Sequence, residues 1–375
     1  MWIDMPILQA IERSRPSVRA AAPLPRSDTS VSPVCRLLDE RTEGEFQAYI
    51  DRHPNGTLFH GLAWKRAVES AFGHIPHYLL VQRNGEVAGV LPLFEVRSLV
   101  AGRFFVSVPY ATYGGVLADD ERVAQALIGA AEEIARNRSA RSIELRNAYA
   151  LAGAQAAARS HATFERTLPD SPDSVLGWIP RKARAAARRA AERHGLEVEF
   201  REGGGLDELW GLYSRSMRRL GSPNYPLKFF RELAQNIDSC VELVRYRGRP
   251  VAGLLTFFDR GRALPYFSGI DERLDLYGLS NFLYWQSMVD AVRRGCGVYD
   301  FGRTRVDNTG PFDFKRSFGF EPRPLGYQTI VMPGHRAPNL SPALRRWSVA
   351  RRVWKKLPLG LTRPLGAVLA KSIPG

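Results

Sequence analysis

The chain is poor in cysteine. It has 3 in 375 residues, Cys35, Cys240 and Cys296, far apart and odd in number. They build neither a disulfide framework nor a zinc site, and they fit a reducing compartment such as the cytoplasm. No apolar run approaches the roughly 20 residues that span a bilayer. There is no Walker loop, no Ser/His/Asp or Cys/His motif and no metal-ligand spacing. His74 and His77 sit in GHIPHY, where Pro76 disfavours a helix that would pair them on one metal. They read as local structural residues, with lining of a cleft as the alternative. Acid is short relative to base, 38 Asp and Glu against 53 Lys and Arg, for a net charge of +15. Such a surface attracts phosphate, nucleic acid or anionic lipid.

What is present points to two domains. The chain is 45% hydrophobic, enough for a sizeable core at this length. Residues 1–33, rich in Arg, Ala, Pro and Ser with an acid near the start, read as a disordered leader and not as a signal peptide. Beyond them the chain repeats itself weakly. Gly85-Glu86-Val87-Ala88-Gly89-Val90-Leu91 resembles Gly248-Arg249-Pro250-Val251-Ala252-Gly253-Leu254-Leu255, each following an apolar run, so each predicts a hairpin. Pro109-Tyr110 with Tyr113-Gly114-Gly115 parallels Pro265-Tyr266 with Ser268-Gly269. A helical stretch then follows in each copy, 122–136 and 280–294, leading into a short strand at 142–146 and 298–303. The order implies a mixed α/β domain used twice, at 34–165 and 166–333, with a basic tail over 334–375.

The charge is clustered. A helix is predicted over 180–194, with Pro180 at its first turn and Gly195 ending it. Arg181, Arg184 and Arg188 share one face, Lys182 and Arg189 lie to the side, and Ala183, Ala186, Ala187 and Ala190 form the packing face. From His335 to Gly375 there are nine cations and no acid. In that tail Leu344, Trp347, Ala350 and Trp354 fall near one helical face among cations. That is the pattern of a helix lying on anionic membrane. Packing of the tail on the second domain is the competing expectation.

The densest chemistry lies in Tyr299-Asp300-Phe301-Gly302-Arg303-Thr304 and in Phe312-Asp313-Phe314-Lys315-Arg316-Ser317-Phe318-Gly319-Phe320. The first piece ends a strand. The second, alternating aromatic and charged residues, reads as a closing β-hairpin. A lysine near a reacting carbonyl stabilises the oxyanion formed when an amine attacks an ester, which suggests Lys315. Arg303 suits a phosphate or carboxylate held in a bidentate way. Asp300 and Asp313 complete the cluster. Tyr113, Tyr225, Tyr266 and Asn281 are candidates to line a substrate groove, against the plainer reading of half-buried packing residues. No Arg/Gln-x-x-Gly-x-Gly/Ala segment precedes a helix, the loop that holds acetyl-CoA pyrophosphate in ordinary acetyltransferases.

At these residues the chain resembles the Fem-like transferases. TLFHGLAW, FGHIPHYLL, GVLPLFEVRS and YGG resemble their first half. IPRKARAAARRAAERHGLEVE, LYSRSMRRLGSPNYPLKFF, YDFGR and FDFKRSFGFEP resemble their second. The likeness, over about 36–333, is greatest to the branch found with exosortase and exopolysaccharide systems, the PEP-CTERM-associated group. It implies two tandem GNAT-like domains of acyl-CoA N-acyltransferase type and no tightly bound cofactor. It also implies that Lys315 of the FK motif stabilises the transition state, and that Arg218 and Arg219 are counterparts of residues holding precursor phosphates. Two departures leave the donor open. The chain lacks the coiled-coil insertion used for tRNA, and Thr309-Gly310-Pro311-Phe312 stands where relatives carry Gly-Thr-Tyr.

Three functions are therefore expected in competition. The first is aminoacyl or acyl transfer to an amine or hydroxyl of a cell-envelope or polysaccharide precursor, with aminoacyl-tRNA as donor and a lipid-linked acceptor at the inner membrane. The second is acetyl-CoA-dependent modification of an exopolysaccharide. The third is a non-catalytic scaffold docked on membrane or RNA.

Overall fold

The computed structural model describes residues 34–98, 101–151, 160–336 and 345–373, with the backbone alone at 345–347. The leader at 1–33, and Leu344 and the side chain of Trp347 in the tail, lie outside the described residues. The chain divides into two compact units. One comprises Met1–His161, Pro324–Ser341 and Ala370–Gly375, the other Ala162–Arg323 and Pro342–Leu369.

The first unit runs β1 (Val34–Leu37), α1 (Glu43–Arg52), α2 (Leu62–Phe72), β2 (Ile75–Pro76), β3 (Leu79–Arg83), β4 (Glu86–Leu91), β5 (Phe94–Ser98), β6 (Gly102–Val106), β7 (Leu117–Ala118), α3 (Glu121–Asn137) and β8 (Ser142–Asn147). From there the chain continues as β9 (His161–Thr167), α4 (Val175–Trp178), α5 (Arg181–His194), β10 (Glu197–Arg201), α6 (Leu206–Leu220), α7 (Leu227–Asn236), β11 (Ser239–Tyr246), β12 (Arg249–Asp259), β13 (Arg262–Ile270), α8 (Leu279–Arg293), β14 (Val298–Arg305), α9 (Thr309–Ser317), β15 (Pro322–Pro324) and β16 (Gly326–Val331). The tail forms α10 (Arg345–Lys356) and α11 (Leu359–Ala370). Among the described residues three sheets result, in the orders β1-β3-β4-β7, β16-β8-β6-β5-β2 and β10-β11-β12-β13-β14-β9-β15.

Two sequence expectations are corrected here. The segment at 324–333 was expected in the second domain, yet β16 pairs antiparallel with β8 along its whole length, from Gly326↔Asn147 to Val331↔Ser142. The reason is a free edge: β8 has β6 on one side only, and β16 satisfies the other. FDFKRSF is a helix, α9, and not a hairpin. Its aromatic alternation is misleading, because Phe312 and Lys315 share the buried face at a spacing of three.

The repeat is real in structure, but its most legible match is out of phase. Both hairpins turn through two left-handed residues, Asn84-Gly85 and Arg247-Gly248, the geometry that suits a two-residue hairpin. Both then carry a bulge, at Ala88 and at Val251. Counted from the turn, Gly89 corresponds to Ala252 and not to Gly253. The two glycines of the VAG matches therefore face opposite sides. A Cβ on Gly89 would lie 2.4 Å from Val123 Cγ1 of α3, whereas one on Gly253 would meet Leu209 of α6.

In the second unit, helix α6 rests directly on β13. A Cβ on Gly269 would lie 2.2 Å from the backbone nitrogen of Tyr213. Backbone cannot yield as a flexible side chain can, so Gly269→Ala should cost at least about 3 kcal/mol. Thermal unfolding checks this; a midpoint that does not move refutes the contact.

Beneath the sheet, Glu242 of β11 is fully buried. Its Oε1 accepts from Thr256 Oγ1 at 2.6 Å and from Ser287 Oγ at 3.0 Å, and Ser287 in turn accepts from the Tyr299 hydroxyl at 2.8 Å. This chain of bonds ties β11, β12, α8 and β14 together.

Of the tail, Pro342–Leu369 belongs to the second unit and packs on it, one of its two expected fates. Trp354 Nε1 donates to the carbonyl of Ser222 at 3.0 Å, Arg218 donates to that of Leu357 at 3.1 Å, and Arg363 lies 4.8 Å over the Trp210 ring. The tail face containing Trp354 is thus turned inward.

Candidate functional site

The second unit's sheet parts down its middle. Strands β13 and β14 are parallel neighbours, but their register covers only Arg262↔Val298 and Ala263↔Tyr299. Past Ala263 they diverge and open a wedge. On the β13 side the strand bulges at Tyr266, where Phe267 pairs with Leu255 and Pro265 with Thr256. Tyr284 of α8 bridges the wedge. Its hydroxyl bonds Ser268 of β13, while its ring lies 5.1 Å from Phe301 of β14 and 5.4 Å from Phe314. Burial holds the Tyr284 hydroxyl above its ordinary range.

Asp300, Arg303 and Lys315 do come together, at the far end of β14. Gly302 takes a positive φ of 65° there, a kink in the strand. Asp300 is buried and its Oδ1 accepts from the Gly302 N–H at 2.8 Å. Lys315 is buried on α9. Its ammonium donates to three carbonyls, of Phe301 at 2.7 Å, Gly302 at 2.9 Å and Arg303 at 3.2 Å. One acid on the N–H side and one lysine on the carbonyl side therefore hold the kink. Burial lowers the Lys315 ammonium to about 7, with the Arg303 charge adding to the fall and Asp300 opposing it. The three carbonyls also favour the charged form. All three ammonium hydrogens are thus engaged in shaping the strand, and none is left for a reacting carbonyl in this arrangement.

Helix α8, which carries Tyr284 across the wedge, starts at Leu279. Gly278, at φ 82°, precedes it, and no side chain caps it. Among the described residues the N–H groups of Ser280 and Asn281 have no hydrogen-bond partner, as expected of first-turn donors that nothing caps. Helix α5 crosses at this point: a Cβ on Gly278 would lie 2.3 Å from the carbonyl of Ala186. The crossing uses the predicted alanine face, since Ala183, Ala186, Ala187 and Ala190 are all buried. It brings Arg189 to 5.7 Å from the ring of Tyr277, beside the helix start. Arg181, Lys182, Arg188 and Arg189 are exposed, and among the described residues none of them forms an ion pair. Arg184 donates to the carbonyl of Gly177 at 3.0 Å. Exposed cations and an uncapped helix N-terminus side by side suit an anion.

The other expected site residues divide. Tyr225 and Tyr266 are brought together through Phe267, with ring centroids 6.0 and 4.9 Å from it. Asn281 is half-buried on the first turn of α8. Arg219 is paired with Glu272, and Asp271 holds Arg273 at 2.8 Å, so these charges neutralise one another. Asp313 is exposed on α9, away from the buried face that carries Lys315. Tyr113 belongs to the first unit, buried 5.9 Å from the Phe59 ring. His74 and His77 are buried there as well. His74 Nε2 lies 2.8 Å from the Tyr110 hydroxyl, and burial lowers its imidazole to about 4. No metal-binding cluster occurs among the described residues.

Sequence reading missed Tyr277, Ser280 and Tyr284. The signal for Tyr277 and Ser280 was present in Tyr277-Gly278-Leu279-Ser280. It keeps the spaced glycine and small residue of the pyrophosphate loop, but has Asp275 where that loop has Arg or Gln.

Residues 180–316 match the family described as acetyltransferase (GNAT) domain. The match opens one residue before Arg181 and closes one after Lys315, so it encloses the whole site. Residues 180–316 thus form an acyltransferase domain of the GNAT type. Among solved structures, FemX is similar over 80% of this chain and 97% of its own, at 16% identity and a TM-score of 0.58. A tandem GNAT protein from the clavulanic acid biosynthesis pathway covers 80% of this chain and 98% of its own, at 13% identity and a TM-score of 0.54. The C-terminal domain of a lysylphosphatidylglycerol synthetase from Agrobacterium fabrum, described as putative, covers 78% and 92%, at 15% identity and a TM-score of 0.54. The fold is a tandem of GNAT-like domains. No curated protein sequence matches this chain.

Proposed function

We propose that this protein moves an acyl or aminoacyl group from a phosphate-bearing donor to an amine or hydroxyl of a cell-envelope or exopolysaccharide precursor. The observation that carries the reading is the parting of β13 from β14 beside an uncapped helix start and an unpaired arginine face. An extended acyl carrier can lie along the open edge of β13 as an added strand would, with its phosphates at Ser280, Asn281 and the α5 cations. Holding donor and acceptor in register removes much of the entropic cost of a bimolecular step. The acceptor's nucleophile attacks the acyl carbonyl, the carrier departs with the electron pair, and the proton passes to solvent or to the carrier. In this scheme Asp300, Lys315 and the Arg303 backbone shape the end of β14, and Tyr225 and Tyr266 line the wedge. The exopolysaccharide setting is supported by the sequence resemblance.

Acetyl-CoA is the second candidate donor, favoured by the Gly278-Leu279-Ser280 turn. Calorimetric titration with acetyl-CoA and with aminoacyl-tRNA at one salt concentration separates the two. Arg188→Glu with Arg189→Glu should weaken the true donor about tenfold or more, because it replaces two phosphate partners by two repulsive charges. Saturable acetyl-CoA binding lost in this variant makes the protein an acetyltransferase. Specific tRNA binding lost in the same variant supports aminoacyl transfer. Binding of neither donor sinks the reading.

A further inference from the structure

Helices α10 and α11 each turn one face inward and leave the other uncovered. On α11 the inward residues are Thr362, Gly366 and Arg363: Thr362 is buried, a Cβ on Gly366 would lie 2.4 Å from Asn224 Oδ1, and Arg363 stacks on Trp210. The outward residues are Leu361, Leu365, Val368 and Leu369, which are 51%, 47%, 59% and 40% exposed. Their spacing of four, seven and eight makes one continuous stripe. No charged side chain falls on it. On α10, Val349 and Val353 are 63% and 54% exposed, one turn apart, with Arg352 and Lys356 exposed beside them.

Exposed apolar side chains are common singly, but a stripe along successive helical turns calls for an occupant. Charge decides which. The segment from His335 to Gly375 carries nine cations and no acid, so a second copy would bring the same uncompensated cations against their like. A lipid leaflet offers both an anionic plane for the cations and an apolar layer just beneath it for the stripe. No helix among the described residues is long and apolar enough to cross a membrane, so the contact is peripheral. The face differs from the one the sequence suggested, since Trp354 points inward and the valine and leucine positions point out.

We propose that the outward face of α10 and α11 docks the protein on anionic lipid. This goes beyond the transfer reaction and does not depend on which donor is used. The test is flotation of the full chain with phosphatidylcholine vesicles and with phosphatidylcholine–phosphatidylglycerol vesicles. Binding should be about tenfold greater on the anionic vesicles and should fall as salt rises. It should be lost in a Leu361→Glu, Leu365→Glu, Val368→Glu variant that keeps its circular-dichroism melt. It should also drop in Arg352→Glu with Lys356→Glu, which decides the matter if the triple variant does not fold. Equal binding to both vesicles, or binding unchanged in a folded variant, overturns the proposal. A dimer seen by sedimentation and abolished by the triple variant assigns the face to a second copy and overturns it as well.

Discussion

Replacing Lys315 by methionine should lower the melting midpoint by roughly 10 °C and reduce acyl transfer at least about 100-fold. The first figure follows from what the substitution leaves behind. Three carbonyls, of Phe301, Gly302 and Arg303, lose a buried charged donor. Removing one partner of a buried charged interaction costs roughly 3–5 kcal/mol, and each kcal/mol moves the midpoint of a domain this size by about 2–4 °C. The second figure follows from position. Those carbonyls belong to the kinked end of β14, just where it has parted from β13, and a small misplacement of one wall of the wedge spoils alignment of the reacting groups. Both effects are measurable on one protein, by thermal unfolding and by turnover assayed well below the variant's midpoint. A large fall in midpoint with turnover intact confines Lys315 to stability. No change in either shows that the three bonds do not matter.

Replacing Glu242 by glutamine should change how stability responds to pH. Burial raises the Glu242 carboxyl to about 8 from its ordinary 4.5, and nearby Asp290 adds to the rise. The bonds from Thr256 and Ser287, and the charge of Arg294, oppose it. The folded state therefore holds a proton that the unfolded state releases between these two values. Stability from this group is fully present below about pH 4.5 and is lost as pH rises through about 8. At 1.36 kcal/mol per unit the whole loss approaches roughly 5 kcal/mol, an upper figure. Glutamine keeps the shape and the acceptor oxygen but cannot ionise. Urea unfolding at acid, neutral and mildly alkaline pH should show the wild type weakening relative to Glu242→Gln as pH rises. Parallel pH profiles would mean that Glu242 ionises as freely folded as unfolded.

Much of the local structure was legible because it is set by near neighbours. The basic helix was expected over 180–194 and forms as Arg181–His194, with Gly195 left-handed at its end. Its alanine face packs as its spacing requires. The turns at Gly85 and Gly248 and the helices α3 and α8 also stand where periodicity puts them. The VAG match shows the limit. It marked two hairpins correctly, but a bulge in each decides which side each residue faces, and nothing in seven letters reveals a bulge.

The candidate site was legible in part. Asp300, Arg303 and Lys315 were expected together and lie together, yet their arrangement was not readable. Whether a lysine points at a substrate or at three backbone carbonyls depends on a kink at Gly302 and on a helix where alternation suggested a strand. By itself the sequence determined composition, charge, the repeated hairpin, helix and strand of each unit and the small-residue faces, since each is a property of contiguous residues. The tertiary structure decided the return of β16 to the first unit, the neutralisation of Arg219 by Glu272, the burial of Glu242 and the outward face of the tail. Each of these is a pairing between residues distant along the chain. Such pairings follow from which edges and faces the packed core leaves unsatisfied, and that is known only when the whole chain has folded.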